Sequence, residues 1–266
     1  WQPWRAVPAL LLVWGAALAA LLGGAATLRA AVAYGERRAR FASSVTHELR
    51  TPLTTFRMYA EMLASGMVTD ERRQREYLQT LHGESERLAS VVENVLAYSR
   101  LEQGRALGRT ERVTLATLVQ RLVPRLERRA DEAGVALECA VRGVPETALL
   151  CDVEALGQIL LNLVDNACKY GTSASAAPVE VAFELVPGRL RVDVRDHGPG
   201  VPPAARASIF LPFDRGGRTD GSVPGIGLGL ALSRGLAREL GGDLTLADAP
   251  DGRGALFRVD LPDARG

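Results

Sequence analysis

The sequence predicts a multidomain chain: a transmembrane helix, then an all-α helical hairpin that dimerises into a four-helix bundle, then an α/β sandwich. Three observations carry this. Ala6 to Leu28 is a run of 23 residues without a charge. Between residues 30 and 102, apolar residues recur at helical spacing on either side of a short Ser65-Gly66 turn. From 113 to 266, strand-like alternation and helical periodicity take turns, the pattern of a layered domain.

Residues 1–29 are expected to be the span. A helix needs about 20 apolar residues to cross about 30 Å of hydrocarbon, and a signal peptide has a shorter apolar core behind a basic start. Trp1 and Trp4 stand where an interfacial aromatic belt lies. Arg29, Arg37, Arg38 and Arg40 follow the run against one acid, Glu36, so the positive-inside rule places everything after residue 29 in the cytoplasm. The chain opens on Trp rather than Met, so it is expected to begin inside a longer protein.

Residues 30–102 read as the hairpin. In its second helix Leu81, Leu88 and Val95 are spaced by seven, with Leu78, Ser85, Val92 and Ser99 as the partner row. The first helix carries Phe41, Val45, Leu49, Leu53, Phe56 and Leu63. Ser65-Gly66 stops it, and Thr69 or Asp70 can cap the next. Two helices cannot enclose a core, so a homodimer is expected.

Residues 103–112, with Gly104 and Gly108, read as a linker to the domain at 113–266. There Val135–Val141, Val179–Leu185, Leu190–Asp196, Leu244–Ala247 and Leu256–Leu261 read as strands. Leu115–Glu132, Val153–Tyr170 and Leu228–Leu240 read as helices. Pro124 is expected to kink or interrupt the first of these. Asp152 is expected to cap the second, with Gly171 as its C′ glycine. Helices then cover one face of a mixed sheet.

Net charge is +1, which gives no bulk field for nucleic acid. Cys139, Cys151 and Cys168 show no metal or disulfide spacing and read as small buried apolar residues.

His47 stands in the segment His47-Glu48-Leu-Arg-Thr51-Pro52. A neutral imidazole is a nucleophile near neutral pH, and Glu48 can take the proton of one ring nitrogen while the other attacks. A lone helical histidine is otherwise a surface residue. Farther on, Asn162, Asn166 and Lys169 share one helix face at i, i+4 and i+7, in Asn162-Leu-Val-Asp-Asn166-Ala-Cys-Lys169-Tyr170. Amide oxygens suit Mg²⁺ and an ammonium suits phosphate; a solvated face with an Asp165–Lys169 pair is the plainer alternative. Asp196-His-Gly198-Pro-Gly200 ends an apolar strand, and its carboxylate can accept the exocyclic amine of adenine, favouring ATP over GTP. In isolation it is an ordinary turn.

Ile209-Phe210-Leu-Pro-Phe213-Asp-Arg215 offers two anchoring rings and an arginine able to reach a terminal phosphate. Gly225-Ile-Gly227-Leu-Gly229-Leu230 runs into a helix, whose N-terminus can hold phosphate. A dinucleotide fold would need a strand before these glycines; the polar Arg215–Pro224 stretch reads instead as a lid. The G-x-x-x-x-G-K-[ST] phosphate loop is absent from the sequence.

Taken in order, these segments resemble the H, N, G1, F and G2 boxes of the sensor histidine kinases of two-component systems, over roughly Phe41 to Leu261. Leu211 departs from the acid often found after the first phenylalanine of the F box. The resemblance implies a Bergerat-type ATP-binding domain and autophosphorylation on His47, with Glu48 as its base and Thr51 positioning water for dephosphorylation of the partner. It implies ATP and Mg²⁺ bound by Asn162, Asn166, Lys169, Tyr170, Asp196, Gly198, Gly200, Phe213, Arg215, Gly225, Gly227, Gly229 and Leu230, with the metal on Asn166. The partner is a response regulator, the state a homodimer, and the place the bacterial inner membrane. Two rival readings are a clamp-type ATPase or chaperone, which has no use for the His47 segment, and a non-catalytic scaffold, which has no need of Asn166, Asp196 or the glycines.

Overall fold

The computed structural model describes residues 7–104, 109–171, 177–214 and 227–262; the side chains at several positions before 48, His47 among them, lie outside the described set. The chain divides into two compact units, Trp1–His47 and Glu48–Gly266. Helix α1 covers Val7–Ala64 and α2 covers Glu71–Glu102.

In the first unit Trp14, Leu18, Leu21, Leu22 and Leu28 are exposed. Among the described residues, no helix is long and apolar enough to cross a membrane. The expected span is residues 1–29, so its first six residues, Trp1 and Trp4 among them, fall outside the described set.

The hairpin turn of the second unit forms where the sequence places it. Gly66 takes φ 69° just beyond α1. The Asp70 carboxylate accepts from the N–H groups of Arg72 and Arg73, capping α2. Tyr59 and Tyr77 meet edge-on at 4.6 Å across the hairpin. Of the two α2 rows, Leu81, Leu88 and Val95 are half-buried, whereas Leu78 and Val92 remain 57% and 46% exposed.

The α/β domain contains a small antiparallel pair, β1 (Glu111–Thr114) with β3 (Ala148–Cys151). Its five-stranded mixed sheet has the order β2-β4-β5-β7-β6, with β2 (Leu137–Arg142), β4 (Val179–Val186), β5 (Arg189–Arg195), β6 (Asp243–Ala247) and β7 (Leu256–Pro262). Only β2 and β4 of this sheet run parallel. Helices α3 (Leu115–Glu132), α4 (Val153–Gly171) and α5 (Gly229–Glu239) pack on one face. Alternation explains that one-sidedness. Val181, Phe183, Val192, Val194 and Val259 are buried in the core with Leu156, Leu160 and Leu163 of α4. On the polar face Arg258 reaches Asp193 at 2.8 Å, and Arg191 reaches Asp260 at 3.1 Å, each directly across strands.

Four expectations change. Glu111 and Arg112 belong to β1 rather than to the linker. Helix α3 runs uninterrupted through Pro124, because that position faces water and the carbonyl deprived of its partner can be solvated. Asp152 caps α4 by accepting from Ala155 N at 3.0 Å, but Gly171 is the helix's last residue and not a residue beyond it. Cys139 is exposed because β2 is an edge strand; Cys151 and Cys168 are buried, and burial pushes the Cys151 thiol up to about 12.

Candidate functional site

A cavity of about 740 Å³ opens between α2 and the α/β domain, within the range of ligand sites. One wall comes from the hairpin, with Glu48, Arg87 and Asn94; the other comes from α4, the β5 turn and the start of α5.

One end of the cavity is built around Asp196, only 6% exposed at the end of β5. Its Oδ1 accepts from Gly198 N at 2.9 Å and from Ala255 N at 3.1 Å. Burial holds this carboxyl above the usual carboxylate range, against the two backbone donors and the charges of His197 and Arg195, which pull it down. Glycine is demanded around it. A Cβ on Gly198 would stand 2.5 Å from the Tyr170 carbonyl oxygen and 2.9 Å from Gly171 Cα. Gly200 takes φ 71°, and a Cβ there would stand 2.7 Å from the Gly254 carbonyl oxygen. Gly254 in turn lies against the Asp196 carbonyl, so the turn at 196–200 and the loop before β7 approach backbone to backbone.

The middle of the cavity is α4. Asn162, Asn166, Lys169 and Tyr170 all line it, as their helical spacing requires. Asn162 Nδ2 donates to Ser233 Oγ at 3.3 Å, tying α4 to α5. Lys169 pairs with Asp165, and so does Arg129 from α3, so the plainer i,i+4 reading of that pair is realised on the cavity wall. At the far end Gly227, Leu228, Gly229 and Leu230 line the cavity as α5 begins. The N-cap position, Leu228, makes no side-chain cap hydrogen bond, which leaves the first N–H groups of α5 to serve an anion. Gly227 has φ 73°, and a Cβ there would stand 2.8 Å from the Asp214 carbonyl oxygen.

Glu48 sits on the hairpin wall, where Arg87 Nη2 donates to its Oε2 at 3.3 Å. Thr51 is exposed on α1 and does not line the cavity. Gly198 and Phe213 are not on the cavity wall either. Gly198 shapes the turn, and Phe213 meets Tyr98 of α2 edge-on at 6.2 Å. Phe210 anchors its segment against Phe257 at 6.4 Å and beneath Arg234 at 4.7 Å. The His47 side chain, Gly225 and the whole of the expected lid, Arg215–Pro224, lie outside the described residues.

Sequence reasoning missed Arg87, Ser233, Gly254 and Ala255. The last two had a signal: Asp251-Gly-Arg-Gly254 is a turn-forming glycine pair just before a strand.

The site and the fold together define a phospho-acceptor hairpin joined to an ATPase domain. Residues 37–104 match the "His Kinase A (phospho-acceptor) domain" family, and residues 151–265 match the "Histidine kinase-, DNA gyrase B-, and HSP90-like ATPase" family. The chain belongs to the sensor histidine kinases of two-component systems. It is 33% identical over 233 residues to the sensor histidine kinase GlrK of Escherichia coli, covering 86% of this chain and 47% of GlrK. It is 34% identical over 236 residues to the sensor protein SphS of Synechococcus elongatus, covering 85% and 55%. The chain thus spans about half the length of these curated relatives. Among solved structures it is similar to full-length ShkA in complex with AMPPNP, at 32% identity and TM-score 0.56, covering 83% of this chain and 45% of that one. The fold is also that of ThkA in complex with the response regulator TrrA, at TM-score 0.63 and 23% identity, covering 84% and 61%.

Proposed function

We propose that this chain is the membrane-anchored transmitter part of a sensor histidine kinase, which moves the γ-phosphate of ATP onto His47 and passes it to an aspartate of a response regulator. One observation carries the reading: a single cavity joins Asp196, Asn162, Asn166 and the α5 N-terminus to Glu48, the residue that follows His47 in the chain.

The chemistry follows from those groups. Both backbone bonds to Asp196 fall on Oδ1, so Oδ2 is the acceptor for the adenine amine. The triphosphate lies along α4 towards the first N–H groups of α5. Asn166 supplies a hard amide oxygen on the same wall, and Mg²⁺, when bound there, neutralises charge on the phosphate oxygens. Lys169 exchanges Asp165 for phosphate, with Arg129 left to hold that carboxylate. Glu48 takes the proton of one imidazole nitrogen of His47. The other nitrogen attacks the γ-phosphorus in line, the bond to the β–γ bridging oxygen breaks, and ADP leaves.

The exposed Leu78 and Val92 support a homodimer, since each hairpin leaves an apolar row without a cover. The ThkA–TrrA complex supports docking of a regulator, and exposed Thr51 is accessible to water for dephosphorylating it. Anchoring by residues 1–29 in the bacterial inner membrane is supported by the uncharged run Ala6–Leu28, the arginines beyond it and the exposed Trp14, Leu18, Leu21 and Leu22. The clamp-type ATPase reading leaves the phospho-acceptor match at 37–104 without a purpose. Incubation with γ-labelled ATP and Mg²⁺ tests the proposal: the wild type takes label and His47→Gln takes none, and label on His47→Gln refutes the assignment.

A further inference from the structure

Resting on that reading, we infer that phosphoryl transfer runs within one chain, each subunit's nucleotide pocket serving its own His47 and not that of its dimer mate. The cavity supports this directly. Glu48, the neighbour of the acceptor in sequence, lines the same cavity as Asn162, Asn166 and Lys169 of the same chain. Its carboxylate is held there by Arg87 at 3.3 Å, with 12% of its side chain exposed. Arg87 also approaches Glu84, at 3.8 Å, so the guanidinium that fixes Glu48 is itself fixed on α2. The base therefore faces the chain's own nucleotide groups.

Helix α2 is also seated on its own ATPase domain. Ala97 and Leu101 pack against the domain core. Leu101 fills the space over Gly235 of α5 where any larger residue would carry its Cβ. Tyr98 meets Phe213, which bonds through its N–H to the Gly227 carbonyl at 2.9 Å in the loop that leads into α5. Serving the mate's histidine would require this seat to separate and the hairpin wall of the cavity to be replaced by the mate's hairpin.

The connecting segment limits reach as well. Residues 103–110 alone join Glu102 at the end of α2 to Glu111 at the start of β1, and eight residues extend at most about 29 Å. The ATPase domain is tethered close to the hairpin face it already covers.

Mixed dimers of the full chain, made by co-expression with two affinity tags and assayed straight after tandem purification, test this. One subunit carries His47→Gln with an intact pocket; the other carries Asn166→Ala with an intact His47. Transfer within the chain predicts less than a tenth of the label taken by a control mixed dimer, in which a wild-type subunit is paired with one carrying both changes. Label on the Asn166→Ala subunit above that of the control, which transfer between subunits leaves unlabelled because its intact pocket faces a mate without His47, overturns the inference and establishes transfer between subunits. A wild-type homodimer that takes no label overturns the kinase reading itself, and the inference with it.

Discussion

Asp196→Asn separates recognition from folding, because one carboxylate oxygen holds the turn and the other is the proposed acceptor for the adenine amine. The asparagine carbonyl can keep both backbone donors, Gly198 N and Ala255 N. Its Nδ2 then presents a donor to the adenine amine, itself a donor. The hydrogen bond lost to a charged acceptor contributes about 1.5–3 kcal/mol, and the buried unmatched donor costs a further ~1–3 kcal/mol. The sum, about 2.5–6 kcal/mol, corresponds to a roughly 60- to 20,000-fold rise in Kd. Stability behaves differently. Burial already holds the Asp196 carboxyl above its usual range, so the ionised form is disfavoured in the fold and a neutral amide relieves that cost. The expected result is a large loss of AMPPNP binding by calorimetry at neutral pH, with the nucleotide-free Tm unchanged or raised. A Kd within a few-fold of the wild type would refute the assignment of Oδ2 to adenine. A collapse of Tm would refute the separation of the two roles. The raised pKa also makes wild-type nucleotide binding weaken on acidification at a higher pH than an ordinary carboxylate, near about 3.9, would give.

Gly198→Ala places a methyl 2.5 Å from the Tyr170 carbonyl oxygen and against Gly171 Cα, both backbone atoms that cannot rotate aside, so it should cost about 1–3 kcal/mol and weaken nucleotide binding too. Gly83→Ala on α2 meets nothing within 4 Å and should instead stabilise by about 0.5–1 kcal/mol; paired denaturant titrations read both. Asp243 bridges Arg234 and Arg238 of α5, and the Arg234 hydrogen bond holds its carboxyl down to about 2. A depressed carboxylate stabilises the fold above its unfolded pKa, near about 3.9, and that contribution is lost as pH falls towards the folded value. Asp243 is 37% exposed, so after allowance for solvent screening Asp243→Asn should cost about 1 kcal/mol at neutral pH. The stability gap from the wild type should close between pH 4 and 2, as a Tm series would show.

The sequence was most legible where one physical rule governs many residues. The i, i+4, i+7 stripe of Asn162, Asn166 and Lys169 does line one cavity, because helical geometry leaves those positions no alternative. The half-buried row of Leu81, Leu88 and Val95, the Asp70 cap and the buried alternation of β4 and β5 follow for the same reason. What sequence concealed depends on partners distant in the chain. Strands β1 and β3 are four residues each, too short for a period to show, and they exist through pairing with one another. Gly171 looked like a helix stop, yet its lack of a Cβ serves the approach to Asp196, whose Cβ would stand 3.0 Å from it. Phe213 looked like a core anchor and instead meets Tyr98, a contact that only the docking of α2 brings about. Arg87 was one charge among many on α2 until the hairpin brought Glu48 to it across 39 positions of sequence.

On the proposed reading, the terminal phosphoryl group of a nucleotide bound in this cavity ends on a nitrogen of His47. The most direct test of that transfer is the chemistry and position of the bound phosphate after reaction with ATP and Mg²⁺. The expected product is a phosphoramidate, lost in acid and retained in alkali, that peptide mapping under alkaline conditions places at residue 47. A phosphate stable to acid, or one mapped to any other side chain, contradicts it.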